Sequence, residues 1–191
     1  MLTCSSRIAC AAQGITFATA YDSLGEEGLR HSINEPESRG VYTNANLLGT
    51  LASVVSSTPS LKFVVYDGKD SDIPAGALDK IRSANEGIQV LAFDDFLKSG
   101  KENPVAPNPP QPQDTLAIMY TSGKAFPGFP LRKIVPLTEI DDLIGSTGPP
   151  KGVVITNANV VACLGAVQVV LGNVVQHGET YIAFLVSYPS L

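Results

Sequence analysis

The sequence lacks several features that mark particular classes of protein. It has no tryptophan and only two histidines, and its three cysteines show no CxxC spacing. An odd, unspaced set of cysteines argues against a zinc site or a secreted disulfide scaffold, so we expect a reduced, intracellular setting. The 13 lysines and arginines are scattered and are outnumbered by 18 acidic residues. Because nucleic acid is bound by cationic faces, we do not expect nucleic acid as a partner.

Long hydrophobic runs are also missing. The N-terminal apolar stretch is interrupted by Ser5, Ser6, Arg7 and Gln13, which is not the pattern of a signal peptide. The most apolar stretch runs from Val160 to Val175, and it is too short and too polar to span a bilayer. The sequence therefore predicts a buried helix there and no transmembrane segment.

What is present is an alternation of short β-branched runs with helical stretches between residues 14 and 98. This rhythm predicts an α/β fold with part of a doubly wound parallel sheet. The predicted strands are Gly14–Ala20, Gly40–Thr43, Leu61–Tyr66, Ile88–Phe93, Asp114–Tyr120, Gly152–Thr156 and Tyr181–Leu185. Helices are predicted to begin at caps near Ser23, Asn44, Asp94 and Asn157, and over Ala75–Asn85.

Two further stretches complete this organisation. Residues 99–113 contain five prolines, which predicts an extended linker on the surface. In the last predicted helix the apolar residues recur at helical spacing, which predicts one buried stripe formed by Val160, Val161, Leu164, Val167, Leu171 and Val174.

Two short pieces carry residues suited to phosphate binding: Tyr120-Thr-Ser-Gly123 at the end of a strand, and Ser146-Thr-Gly-Pro-Pro-Lys-Gly152 before the next one. Glycine lets backbone N–H groups approach phosphate oxygens, hydroxyls donate hydrogen bonds, and lysine neutralises charge. A Walker A loop is excluded because Pro150 and Gly152 flank Lys151. Either piece alone is typical of an ordinary surface turn.

Joined end to end, the two pieces read YTSG-STGPPKG, which resembles the phosphate-loop signature of adenylate-forming enzymes, roughly [YFW]-T-S-G-[ST]-T-G-x-P-K-G. The stretches beginning at Thr19, Val41 and Lys151 resemble the long-chain fatty acyl-CoA synthetase branch. The resemblance implies that residues 1–191 are part of the large N-terminal AMP-binding domain of such an enzyme. It also implies an ATP phosphate-binding loop formed by Thr121, Ser122, Gly123, Ser146, Thr147, Gly148, Pro150, Lys151 and Gly152.

The activity implied by the resemblance is ATP-dependent activation of a fatty acid. Fatty acid and ATP give an acyl-adenylate and pyrophosphate, and CoA then displaces AMP, with Mg²⁺ as the metal. The family's adenine, ribose and catalytic-lysine segments are not among these 191 residues, so we expect no complete catalytic site and no activity from them alone. The resemblance places such enzymes in the cytoplasm or at the surface of the endoplasmic reticulum, peroxisomes or lipid droplets.

The signature is interrupted by 22 residues, Lys124 to Gly145, which should separate the phosphate-binding groups. We interpret residues 124–145 as a retained intron. Gly123-Lys124 can be encoded with a splice-donor-like GGTAAR and Ile144-Gly145 with an acceptor-like ATAGGN, and removing 22 codons keeps the frame. Val186-Ser187 is likewise codable as GTAAGT, so residues 186–191 are interpreted as an aberrant tail after the phosphate-loop region (114–123 and 146–185). The alternative is a genuine lineage-specific loop with a natural short end.

Two other functions stay open on the sequence alone. One is a non-catalytic truncated isoform, and the other is an unrelated flavodoxin-like module that binds a nucleotide or phosphate by convergence. His31 and His177 show no partner pattern and are predicted to be surface residues. The remaining acids are interpreted as helix-start or solvated charges: Glu26, Glu27, Asp94, Asp95, Asp141 and Asp142.

Overall fold

The computed structural model describes residues 4–85, 87–120 and 152–172. Six helices and six strands make up this part of the chain, in alternating order except where β6 follows β5, with short 3₁₀ turns before α2, on either side of α3 and between β3 and α4. The elements are α1 (Cys4–Ala12), β1 (Phe17–Thr19), α2 (Gly25–Asn34), β2 (Gly40–Asn44), α3 (Leu48–Val54), β3 (Phe63–Asp67), α4 (Ala77–Ala84), β4 (Gln89–Ala92), α5 (Phe93–Glu102), β5 (Thr115–Tyr120), β6 (Gly152–Thr156) and α6 (Asn157–Leu171).

The strands form two three-stranded sheets. In the first, β2, β3 and β4 are parallel and follow one another in chain order, with α3 and α4 as crossover helices. In the second, β5 lies in the middle, parallel to β1 and antiparallel to β6. The predicted α/β class with parallel strands is confirmed. The division into two sheets and the antiparallel β6 are features that the sequence rhythm did not indicate.

The main hydrophobic core lies between the first sheet and its helices. Leu48 and Leu51 of α3, Ile81 of α4 and Val64 of β3 are at most 2% exposed. Leu61, which precedes β3, is also fully buried. Their burial removes apolar area from water at about 25 cal/mol per Å² and makes this sheet the best-packed part of the described chain.

Most of the predicted elements are present with boundaries shifted by a few residues, but the predicted caps differ. Ser23 lies inside a 3₁₀ turn, and α2 begins two residues later. Asn44 occupies a cap position without a side-chain bond, and Ala92 rather than Asp94 precedes α5. The Asn157 side chain donates instead to the Asp114 carbonyl, at 3.0 Å.

The N-terminal helix α1 was not predicted from the sequence, and it contacts the proline-rich segment. The backbone N–H of Asn108 donates to the Ala12 carbonyl at 3.2 Å, and the Gln13 side chain donates to the Ala106 carbonyl at 3.3 Å. The predicted linker is helical as far as Glu102 and has no regular structure from there to Asp114. These hydrogen bonds hold the segment against the end of α1.

The chain divides after Asn157 into two units, and the described part of the second consists of α6 from Ala158 onward. The expected burial of α6 is not observed, because Val161, Leu164 and Val169 are 69%, 63% and 84% exposed. The apolar residues also surround the helix rather than forming one stripe, since Val169 lies outside the predicted set. Among the described residues, no helix has the length and apolar character needed to cross a bilayer.

Candidate active site

Three strand ends meet at one edge of the second sheet. Parallel pairing sets Thr19, the last residue of β1, beside Met119 of β5. Antiparallel pairing sets Tyr120, the last residue of β5, opposite Gly152, the first residue of β6. The carboxyl ends of two parallel strands and the start of the third therefore form one edge, which is where α/β proteins commonly bind ligands.

The two paired residues are the two ends of the sequence signature. Its first half begins with Tyr120, and its second half ends at Gly152. Of the predicted phosphate-binding residues, only Gly152 is among the described residues. The others lie outside them: Thr121, Ser122, Gly123, Ser146, Thr147, Gly148, Pro150 and Lys151.

Gly152 packs closely against the neighbouring strand. A Cβ atom at this position would lie 2.7 Å from Ile118 Cγ2 and 3.3 Å from the Tyr120 ring. The closer distance is below any normal contact, so a side chain at position 152 would force either the Ile118 side chain or the strand itself to shift. The absence of a side chain at Gly152 therefore allows β5 and β6 to pair at this edge.

We expect Gly152→Ala to lower the free energy of unfolding by about 1–3 kcal/mol, the usual cost of forcing an extra methyl group into a packed site. Urea denaturation followed by circular dichroism measures it. Gly100→Ala is the matched control, because Gly100 lies within α5 with no neighbouring atom within 4 Å of its Cβ position. That change should stabilise the chain by about 0.5–1 kcal/mol through helix propensity. Equal effects of both changes would contradict the close packing at Gly152.

Tyr120 is held at this edge by its phenol group. The residue is 2% exposed, and its hydroxyl donates to Glu35 Oε2 at 2.5 Å. Burial of the phenol, together with the hydrogen bond and the negative charge of Glu35, raises the pKa of Tyr120 far above its ordinary value. The phenol is therefore a neutral donor throughout the physiological pH range.

His31 belongs to the same cluster, and the prediction that it is an unpartnered surface residue is wrong. Its Nε2 lies 3.5 Å from Glu35 Oε2, one helical turn away, and its ring contacts the edge of the Tyr120 ring with centroids 6.0 Å apart. The spacing of His31 and Glu35 on α2 was visible in the sequence. Their contact with Tyr120, 85 residues beyond Glu35, was not.

Thr19 lies at this edge, and Thr16 lies before the opposite end of β1. The Thr16 hydroxyl donates to the Thr115 carbonyl at 2.7 Å and fastens the start of β1 to β5. The Thr19 hydroxyl is buried and has no hydrogen-bond partner among the described residues. Within those same residues, no group of three or more His, Cys, Asp or Glu side chains could hold a metal ion.

Comparison with known proteins gives consistent results. The sequence model of the AMP-binding enzyme family matches residues 5–123. Long-chain-fatty-acid–CoA ligase 1 of Schizosaccharomyces pombe is 37% identical over 161 residues, which cover 83% of this chain and 20% of the ligase. Long-chain-fatty-acid–CoA ligase 4 of Saccharomyces cerevisiae is 35% identical over 173 residues, which cover 84% of this chain and 22% of the ligase. The chain thus spans about one fifth of the length of these relatives.

A solved structure shows the same fold. The A domain of carboxylic acid reductase from Segniliparus rugosus, in complex with AMP and a co-purified carboxylic acid, superposes with a TM-score of 0.63. The two sequences are 15% identical, and the match covers 93% of this chain and 25% of the A domain's chain. At this identity the likeness extends to the fold alone.

Proposed function

The chain belongs to the AMP-binding enzyme family, and we propose that it forms part of an ATP-dependent long-chain fatty acid–CoA ligase. The observation that carries the proposal is the pairing of Tyr120 with Gly152, the first and last residues of the phosphate-loop signature. The curated relatives, ligases for long-chain fatty acids in two yeasts, support the same substrate class. Membership of the family removes the alternative of an unrelated flavodoxin-like module.

The proposed reaction has two steps. The fatty acid carboxylate attacks the α-phosphorus of ATP and releases pyrophosphate, and the CoA thiol then attacks the acyl carbon and releases AMP. Thr121, Ser122, Ser146 and Thr147 donate hydrogen bonds to the phosphates, the glycines allow close approach of the backbone, and Lys151 neutralises charge that develops on the leaving group. Mg²⁺ enters with the nucleotide as MgATP.

We assign residues 124–145 to a retained intron within this loop and residues 186–191 to an aberrant tail. The match to the family ends at Gly123, directly before the insert, which supports the first assignment. The 191 residues assayed alone should form no acyl-CoA, because they span only about one fifth of the relatives' length. The complete enzyme is proposed to act inside the cell, in the cytoplasm or at the surface of the endoplasmic reticulum, peroxisomes or lipid droplets.

The test uses a ligase chimera, in which residues 5–123 joined to residues 146–185 replace the matching segment of the S. pombe ligase. We expect this chimera to form long-chain acyl-CoA only with ATP present, releasing AMP and pyrophosphate. Lys151→Ala should lower kcat/KM for ATP about 100-fold or more, the usual effect of removing one group that stabilises transition-state charge. A coupled assay of pyrophosphate release measures both the ATP-dependent activity of the chimera and the effect of Lys151→Ala.

Lys98→Ala is the control, because Lys98 is exposed on α5 and should not affect the reaction. A folded chimera that makes no acyl-CoA would sink the proposed function. An active chimera that tolerates Lys151→Ala would leave the ligase assignment standing and remove Lys151 from the phosphate site.

A further inference from the structure

Tyr120, Glu35 and His31 connect two parts of the fold that are far apart in sequence. Glu35 follows the last residue of α2, a helix that packs against α3 beside the first sheet. Tyr120 ends β5 in the middle of the second sheet. The hydrogen bond from the Tyr120 hydroxyl to Glu35 Oε2 therefore ties the end of α2 to the edge where the phosphate-loop signature begins.

We propose that Glu35 and His31 are positioning residues for the phosphate loop and act through Tyr120. This inference rests on the proposed function, since it assumes that residues 121–123 contact ATP. Thr121 is covalently attached to Tyr120, so holding the Tyr120 ring holds the residue from which the rest of the signature continues. Glu35 holds the hydroxyl end of the ring, while His31 restricts its rotation by contact at the edge.

The chemistry of the cluster favours positioning over simple packing. A buried ring at position 120 could be accommodated by phenylalanine, yet the residue present has a hydroxyl directed at a carboxylate. A hydrogen bond to an ionised acceptor is roughly twice as strong as a neutral one and depends more on geometry. The Glu35 side chain is 48% exposed and that of His31 is 31% exposed, so neither is needed to fill the core.

The contact distances indicate which of the two residues, Glu35 or His31, holds Tyr120 more directly. The Tyr120–Glu35 hydrogen bond, at 2.5 Å, is direct, whereas His31 Nε2 lies 3.5 Å from Glu35 Oε2, one turn away at the end of α2. Glu35 is the shared acceptor. Replacing Glu35 should therefore have a larger effect on Tyr120 than replacing His31.

The test measures amide hydrogen exchange in the 191-residue chain, over peptides covering residues 115–120 of β5. Glu35→Leu and Tyr120→Phe should each speed exchange there by about tenfold, the effect expected from losing one charge-assisted hydrogen bond. The double variant should be no faster than either single variant, because both remove the same bond. Glu35→Gln keeps an acceptor oxygen and should restore most of the protection.

Glu26→Leu is the matched control, since Glu26 is an exposed acid in the first turn of the same helix. A merely structural role would speed exchange throughout β2, β3 and β4 as well. Unchanged exchange at residues 115–120 in Glu35→Leu, or a change spread equally over the first sheet, would overturn the inference whether or not the chimera is a ligase.

A second readout uses the ligase chimera. There Glu35→Leu should raise KM for ATP about tenfold while leaving KM for the fatty acid unchanged, and Glu35→Gln should reverse most of the effect. Faster exchange with an unchanged KM for ATP would overturn the role toward the nucleotide. An inactive chimera would instead overturn the proposed function, and the exchange result would still decide whether Glu35 holds Tyr120.

Discussion

Restoring residues 124–145 to the ligase chimera should lower kcat/KM for ATP by about a thousandfold or more. A phosphate loop stabilises the transition state because several donors converge on the same oxygens, and each misplaced donor costs about 10²–10³ in rate. The 22 inserted residues separate Gly123 from Ser146, so the donors of the two halves no longer lie within a few residues of one another. Pyrophosphate release in the two chimeras, with and without the insert, measures the effect.

The control places the same 22 residues elsewhere in the chimera. Inserted after Pro104, in the exposed irregular segment before the residues bonded to α1, they should change kcat/KM for ATP by less than about threefold, since long insertions in surface loops cost little free energy. Equal activity with and without the insert in the phosphate loop would show that residues 124–145 are a functional loop. Sequencing the spliced transcript across the codons for Tyr120 to Leu191 then tests the origin of the insert, because a message that retains these codons contradicts the intron.

Leu48→Ala should have the largest effect on stability. Leu48 lies on α3, is fully buried and belongs to the core against the first sheet. Truncating a buried leucine removes its transfer free energy and leaves a cavity, so we expect the free energy of unfolding to fall by about 3–5 kcal/mol. Urea denaturation, with the midpoint and slope fitted separately, measures the change. Much of a small domain's stability of about 5–15 kcal/mol would be lost.

Leu97→Ala makes the same chemical change on α5, where the leucine is 43% exposed. Leu97→Ala should lower the free energy of unfolding by less than about 1 kcal/mol, because little buried apolar area is lost and no cavity forms. If the two substitutions cost the same, the core is not centred on α3. A change in the slope of the Leu48→Ala transition would indicate that the denatured state or the cooperativity had changed as well.

The sequence predicted the local elements better than their arrangement. Runs such as Phe63–Asp67 carry their own signal, since β-branched residues bounded by Asp67 and Gly68 are typical of a strand. The pairing of β1 with β5 joins Phe17 to Ala117, a contact far too distant in sequence for any local pattern to specify. The predicted helix cap at Asn157 was wrong for a similar reason. Its side chain donates to the Asp114 carbonyl, which precedes the neighbouring strand, and does not cap its own helix.

The candidate site shows the same limit. The signature predicted the family because it is a long and specific string, and the family match confirmed that part, while the phosphate-binding roles of the individual residues stay a prediction. The sequence did not indicate that Tyr120 and Gly152 face each other, nor that Glu35 and His31 support Tyr120. These contacts depend on how α2 and β5 come together, which no spacing within either element records.

The pairing of Tyr120 with Gly152 has a consequence for the fate of the protein in the cell. The connection between Tyr120 and Gly152 is nine residues long in the uninterrupted signature and 31 residues long here. Tyr120 and Gly152 are nevertheless paired. Loop-closure entropy grows only with the logarithm of length, so the longer connection costs about 1 kcal/mol. On the proposal that residues 124–145 are a retained intron, such a product would not be strongly unfolded, and quality control directed at unfolded chains would not separate it from a product without the insert. Control over this polypeptide would then have to operate on the message rather than on the protein.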